Sequence, residues 1–278
     1  MDGIILINKE KGLTSRDVVN IVSKKIGCRK VGHTGTLDPL ATGLMVLCVG
    51  EGTKLVEMLT GHDKDYIAKV KLGMQTDTYD ITGNIINRDS NYLLKKDDLE
   101  KTLLSFNGEY EQEVPIYSAI KVQGKKLYEY ARSGKSVNLP RHLVKISNMK
   151  LIDIQDDSFT FSVTVSSGTY IRSLINDIGK KLGIYMTMEE LCRTRVGKYC
   201  LENASSIDDL KIVPLINILD IKKINLDDTL LKKIKNGVKI PNIYHEKKVM
   251  FVNDGQAIAI YQDMENDMMR SYRVFNNK

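Results

Sequence analysis

Long apolar runs are missing from this sequence. The longest, Leu44-Met45-Val46-Leu47-Cys48-Val49, has about six residues, against the ~20 that a membrane-crossing helix needs. The opening Met1-Asp2-Gly3-Ile4-Ile5-Leu6-Ile7-Asn8-Lys9 has neither the basic start nor the apolar stretch of a secretory leader. The expectation is a cytoplasmic chain with no membrane association. Cysteine and histidine are sparse as well. Cys28, Cys48, Cys192 and Cys200 form no Cys-x-x-Cys pair, and His33, His62, His142 and His245 are scattered. No metal-ligand spacing results, so neither a structural nor a catalytic metal is expected, and the thiols suit a reducing compartment.

With those classes set aside, 278 residues at 42% apolar and 27% charged suit one substantial core with a smaller second domain. The net charge of +6 is unevenly spread. Between Lys121 and Lys150 stand eight basic residues (Lys121, Lys125, Lys126, Arg132, Lys135, Arg141, Lys145, Lys150) and a single acid, Glu129. That window outweighs the excess of the whole chain. With Tyr117, Tyr128 and Tyr130 beside it, it reads as a clamp for a polyanion, the plainer alternative being a solvated lysine-rich face.

Periodicity places the main elements. Residues 3–8 suit a short buried strand. Thr14 or Ser15 caps a helix over Asp17–Ile26, with Val18, Val19, Val22 and Ile26 on one face and Gly27 closing it. A short helix is predicted near Lys54–Leu59. Over Asp65–Leu72 the side chains alternate, putting Tyr66, Ala68, Val70 and Leu72 on one face, so Tyr66 points inward. Asp97 or Asp98 opens a helix through Ser105, and Gly108–Gln112 begins a strand. Leu143–Ile154 and Ser158–Ser166 read as two strands joined at Asp156-Asp157. After Gly168, apolar residues at Ile171, Leu174, Ile175, Ile178 and Leu182 have helical spacing, with Arg172 on the edge of that stripe. From about residue 222 the composition shifts. A helix over Asp227–Lys235 and short strands around Val249–Val252 and Ala257–Tyr261 are expected there.

The stretch Gly32-His33-Thr34-Gly35-Thr36-Leu37-Asp38-Pro39-Leu40-Ala41-Thr42-Gly43 interrupts this pattern. Three glycines and a proline in twelve residues forbid regular structure, so it is a shaped loop feeding the apolar strand at Leu44–Val49. Asp38-Pro39 alone is a turn signal. The full stretch resembles the catalytic loop of the bacterial tRNA pseudouridine synthase B family, Gly-His-Thr-Gly-x-Leu-Asp-Pro-x-Ala-x-Gly, at every fixed position. Further resemblances accompany it. Asn8-Lys9-Glu10-Lys11-Gly12-Leu13-Thr14-Ser15 has Glu10 where the family has proline. Lys64-Asp65-Tyr66, with Thr76-Asp77-Thr78-Tyr79-Asp80, resembles the second motif. Val114-Pro115-Ile116-Tyr117-Ser118-Ala119-Ile120-Lys121 has Val114 for a proline. Ser167-Gly168-Thr169-Tyr170-Ile171-Arg172 and Leu191-Cys192-Arg193-Thr194-Arg195-Val196-Gly197 complete the set, with Cys192 where a basic residue is frequent.

The resemblance implies an α+β fold: a catalytic domain of the pseudouridine synthase type on a mixed, largely antiparallel sheet (residues 1–222). It carries a basic thumb-like insertion at about 121–150, and a small C-terminal PUA-like RNA-binding domain follows (223–278). It implies isomerisation of a uridine in the T-loop of tRNA, position 55, by a monomer with no obligate protein partner and no cofactor. Asp38, Tyr66 and Arg172 would be catalytic. Asp38 either attacks ribose C1′ or removes a sugar proton, and both routes remain open. Since the departing base is also the returning nucleophile, one carboxylate suffices, where hydrolytic glycosidases commonly use two. Arg172 would keep that carboxylate ionised, and Tyr66 would hold the uracil and relay the C5 proton. Tyr170 and Leu191 would line the pocket, and His33 would fill the stack vacated by the flipped base. Lys121, Lys125, Lys126, Arg132 and Arg141 would contact RNA. Two rivals stand beside this reading: a guide-RNA-dependent synthase subunit, and a tRNA-folding chaperone without chemistry.

Overall fold

The computed structural model describes residues 2–264 and 266–276. Strand β1 (Gly3–Lys9) leads into helix α1 (Ser15–Ile26), which starts two residues before the expected Asp17 because of its cap. The Thr14 hydroxyl accepts from the Asp17 amide at 3.1 Å, and the Asp17 carboxylate accepts from the Thr14 amide at 2.9 Å. Gly27 closes the helix in the left-handed conformation, at φ 65°. Next come β2 (Val31–His33) and β3 (Thr42–Val49), with the glycine-rich loop between them. Where one helix was expected over 54–59, a 3₁₀ segment (Gly50–Leu55) runs into α2 (Val56–Thr60).

β4 (Lys64–Leu72) is followed by a hairpin, β5 (Met74–Thr76) and β6 (Ile85–Arg88), then α3 (Lys96–Leu104) and β7 (Gly108–Glu113). The basic segment forms a small ribbon, β8 (Lys121–Val122) with β9 (Lys125–Lys126), and a single helix, α4 (Leu127–Arg132). Long strands β10 (Arg141–Ile154) and β11 (Ser158–Val165) precede α5 (Ile171–Leu182). β12 (Met186–Val196), β13 (Tyr199–Cys200) and β14 (Ile212–Pro214) finish the large sheet. Beyond it lie β15 (Lys222–Asn225), α6 (Asp228–Lys235), β16 (Ile240–Pro241), β17 (Lys248–Asn253), β18 (Gln256–Asp263) and β19 (Met268–Val274).

The large sheet runs β14-β1-β3-β12-β4-β11-β10-β7, with β2 beside β3 and β13 beside β12. Its pairs are antiparallel except β3 with β12, which run parallel at Thr42–Cys192 and Gly43–Arg193. The fold is therefore α+β on a mixed, largely antiparallel sheet. α1, α3 and α5 pack on one face, where Val18, Val22, Leu99, Leu174 and Ile178 meet Ile5, Met45, Ala68 and Phe161. β1 and β3 are apolar on both sides because their other face is covered too. Ile4, Leu6, Leu44, Val46 and Cys48 pack against Met250, Val252 and Ile260 of the second, five-stranded sheet, β15-β17-β18-β19-β16, and against Phe275 just beyond it. That shared core explains why Leu44–Val49 reads as an unbroken apolar run instead of an alternating one.

Candidate active site

The loop between β2 and β3 is irregular, so its shape comes from side chains reaching into it. The Ser15 hydroxyl donates to the Leu37 carbonyl at 3.0 Å and accepts from the Leu37 amide at 2.8 Å. Buried Lys9 donates through Nζ to the carbonyls of Glu10 (2.9 Å), Leu13 (2.7 Å) and Pro39 (3.4 Å). Burial lowers the Lys9 pKa to about 8, and the nearby Asp38 charge opposes that shift. At the far end of the loop Gly43 has φ 100°, and a Cβ there would lie 2.3 Å from the Arg193 carbonyl oxygen. Glycine is required where the parallel strands meet.

Asp38 leaves this loop toward Arg172. The arginine grips it at two points, Nε to Oδ2 at 2.9 Å and Nη2 to Oδ1 at 3.2 Å. The Arg172 side chain is 6% exposed and that of Asp38 33%, so the carboxylate presents one side to a cavity while most of the guanidinium is buried beneath it. Two further donors are occupied by backbone carbonyls. Nη1 reaches the Thr78 carbonyl at 2.9 Å, and Nη2 also reaches the Tyr117 carbonyl at 3.0 Å. One planar cation thus ties together the Asp38 loop, the β5–β6 turn and the segment before β8. The turn is held rigid by Asp80, whose Oδ1 accepts from the Thr82 amide (2.9 Å) and the Thr78 hydroxyl (3.0 Å). Arg172 is in the first turn of α5, which is anchored by Ile171, Leu174, Ile175 and Ile178 in the core. Its stem is thereby drawn below the surface, further than the edge position expected from helical spacing.

Above the ion pair is a cavity of about 260 Å³, walled by Tyr66, Tyr117, Tyr128, Tyr170 and Leu191 with Asp38 and Arg172 at its base. Its size and mixed apolar and polar lining suit one flat polar ring. Burial raises the pKa of the Tyr170 phenol, so it is protonated at neutral pH and able to donate. Tyr66 points inward from β4 and Leu191 from β12, whose antiparallel register sets Leu191 opposite Ala68 and Arg193 opposite Tyr66. Asp38, Tyr66, Tyr170, Arg172 and Leu191 are therefore gathered in one place.

His33 is not in that wall. It ends β2, partly buried, and its pKa is lowered, first by burial and then by the charges of Arg16 and Arg193. Lys121, Lys125 and Lys126 lie on the β8–β9 ribbon, and Arg132 ends α4. Tyr128 joins this basic segment to the cavity. Its ring forms part of the wall and lies 5.4 Å from both Lys126 Nζ and Arg132 Cζ. Tyr130 instead fixes the helix to the ribbon by donating to the Val122 carbonyl at 3.1 Å. Arg141, at the start of β10, is 3.9 Å from Glu113 and outside the cavity. Sequence reasoning did not single out Thr36, Ser118 or Tyr128 as pocket walls, nor the carbonyls of Thr78 and Tyr117 as partners of Arg172. Only the Pro-x-Tyr-Ser-Ala spacing hinted at the segment carrying Ser118. Among the described residues no cluster of His, Cys, Asp and Glu could hold a metal ion.

Comparison with known proteins follows the same residues. The family model described as "TruB family pseudouridylate synthase (N terminal domain)" matches residues 23–171, and "tRNA pseudouridylate synthase B C-terminal domain" matches 172–231. A protein of Mesoplasma florum named tRNA pseudouridine synthase B is 37% identical over 98% of this chain and 97% of its own length. One of the same name from Fusobacterium nucleatum subsp. nucleatum is 41% identical over 99% and 100%. Among solved structures, an H/ACA RNP bound to a substrate RNA containing 2′-deoxyuridine superposes with a TM-score of 0.73 at 21% identity. The match covers 99% of this chain and 85% of that one, a likeness of fold.

Proposed function

This chain belongs to the TruB family of pseudouridylate synthases, and from that premise we propose that it isomerises the uridine at position 55 in the T-loop of tRNA. The enzyme is an RNA pseudouridine synthase, converting uridine to pseudouridine in tRNA. The observation that carries the site assignment is the two-point contact of Arg172 with Asp38 beneath a tyrosine-walled cavity.

The bond from uracil N1 to ribose C1′ breaks, the base turns, C5 bonds to C1′, and the C5 hydrogen leaves as a proton while N1 gains one. Nothing is oxidised and no water enters the product. Asp38 supplies the single carboxylate this needs, by attack at C1′ or by taking a sugar proton. Arg172 holds it ionised and aimed, a role for which a delocalised, always-charged fork is suited. Tyr66 and Tyr170 hold the flipped base, the Tyr66 hydroxyl relays the C5 proton, and Leu191 packs against the ring. His33, outside the cavity, enters the stack the base has left. Lys121, Lys125, Lys126, Arg132 and Arg141 bear on RNA phosphates. The C-terminal unit, residues 223–278, adds a further RNA-contacting surface of PUA-like character. The chain acts as a monomer in the cytoplasm without a protein partner.

The test uses tRNA carrying tritium at uridine C5, incubated with the purified chain alone. Release is expected from unmodified tRNA and not from tRNA with cytidine at position 55. Release only after adding a guide RNA or further proteins would transfer the chain to the guided class. Absence of release with intact tRNA binding would favour a chaperone.

A further inference from the structure

Arg193 is 1% exposed, and among the described residues no carboxylate pairs with its guanidinium. A buried cation without a counter-charge is costly, and an apolar side chain of similar volume would fill the space more cheaply. What it has instead are three backbone acceptors, two on the Asp38 loop and one on β3. Nε donates to the Leu44 carbonyl at 2.7 Å, Nη2 to Gly35 at 3.2 Å and Nη1 to Thr36 at 3.4 Å. The Gly35 and Thr36 carbonyls accept from no backbone amide among the described residues. The approach is close, since a Cβ on Gly35 would lie 3.4 Å from Arg193 Nη1. On β12, Arg193 is the register partner of Gly43 on one side and of Tyr66 on the other.

We propose that Arg193 is a positioning residue for the isomerisation: it braces the carbonyls of Gly35, Thr36 and Leu44 and so sets the direction in which Asp38 leaves the loop. The inference rests on Asp38 being the reacting carboxylate. Arg172 holds the tip of Asp38, while Arg193 holds the backbone two and three residues before it and, through Leu44, the strand into which the loop runs. Arg193 touches neither substrate nor reacting atoms. It acts through loop geometry, where a misplacement of about 1 Å can cost about 100-fold in rate.

Arg193→Lys keeps the charge but cannot bridge carbonyls of both the loop and β3, and Arg193→Met removes the charge at similar bulk. In single-turnover assays with all tRNA bound, the lysine variant should be slower by about 10- to 100-fold, with tRNA Kd changed less than about threefold. In hydrogen exchange on the wild type, the amides of Leu37 and Ala41, which are bonded to Ser15 Oγ and the Asp38 carbonyl, should be as protected as those of β3. In Arg193→Lys they should exchange faster while β3 does not. Equal rates for the lysine variant and wild type would overturn the proposal. So would loop amides that exchange freely in the wild type, a result that needs no variant to fold. A fall in turnover matched by lost tRNA binding or by the unfolded fraction would also end it. Failure of the wild type to release tritium would count against the synthase reading itself.

Discussion

Replacing Arg172 with lysine keeps a positive charge facing Asp38 and removes the fork. The guanidinium makes four contacts, two to Asp38 and one each to the carbonyls of Thr78 and Tyr117. A lysine ammonium, a single nitrogen on its stem, holds Asp38 at one point and one carbonyl at most, so two charge-assisted hydrogen bonds disappear. Each is worth about 1.5–3 kcal/mol. Asp38 keeps a third of its side chain in contact with solvent, and water replaces part of what is removed. A net loss of about 3 kcal/mol remains, which at ~1.4 kcal/mol per tenfold corresponds to about 100-fold in rate if it falls on the transition state. Single-turnover tritium release with enzyme in excess isolates that step from binding. The expected outcome is a rate about 100-fold lower with tRNA Kd within about fivefold, because Arg172 is nearly buried at the base of the cavity. A rate within threefold of wild type would refute the idea that two-point geometry, beyond charge, matters at Asp38.

Two further predictions concern the periphery. Glu51, in the 3₁₀ segment after β3, accepts from Lys54, Lys30 and the Asn276 amide beyond β19; burial raises its pKa, but these hydrogen bonds outweigh it and bring the value from 4.5 to about 2. Its stabilisation is full above pH 4.5 and lost as pH falls toward 2, so Glu51→Gln should lower the melting temperature at pH 7 and match wild type near pH 2; a gap independent of pH would contradict the linkage. Neutralising Lys125, Lys126 and Arg132 together should weaken tRNA binding and flatten the plot of log affinity against log salt, by somewhat under one unit for each phosphate that no longer meets a cation. Parallel salt plots for wild type and the triple variant would reduce the basic segment to a solvated surface.

Much of this architecture is legible in local chemistry. The Thr14–Asp17 box and Gly27 mark both ends of α1, and alternation in β4 turns Tyr66 inward. Helical spacing after Gly168 marks α5. β12 carries no such mark. Its register shifts between Met188 and Glu190 and between Arg193 and Arg195 reset the alternation, so an eleven-residue central strand reads as patternless. Yet that strand supplies Leu191 to the cavity and Arg193 to the loop. The partners of Arg172 and Arg193 are invisible for another reason. Backbone carbonyls of Thr78, Tyr117, Gly35 and Thr36 leave no trace in residue type, so an arginine serving them looks like any other. The same holds for His33 and Asp38. Five residues apart in sequence, they diverge because His33 ends β2 while Asp38, on the loop beyond it, is drawn to Arg172.

The central claim, that one carboxylate carries the reaction, is tested most directly at Asp38 itself. Asparagine preserves the shape and can still accept from Arg172, but it cannot attack C1′ or take up a proton as a carboxylate does. Tritium release from C5-labelled tRNA should be undetectable for Asp38→Asn in a single-turnover assay, with tRNA Kd near that of wild type. Release within tenfold of the wild-type rate would place the reacting group elsewhere in the molecule.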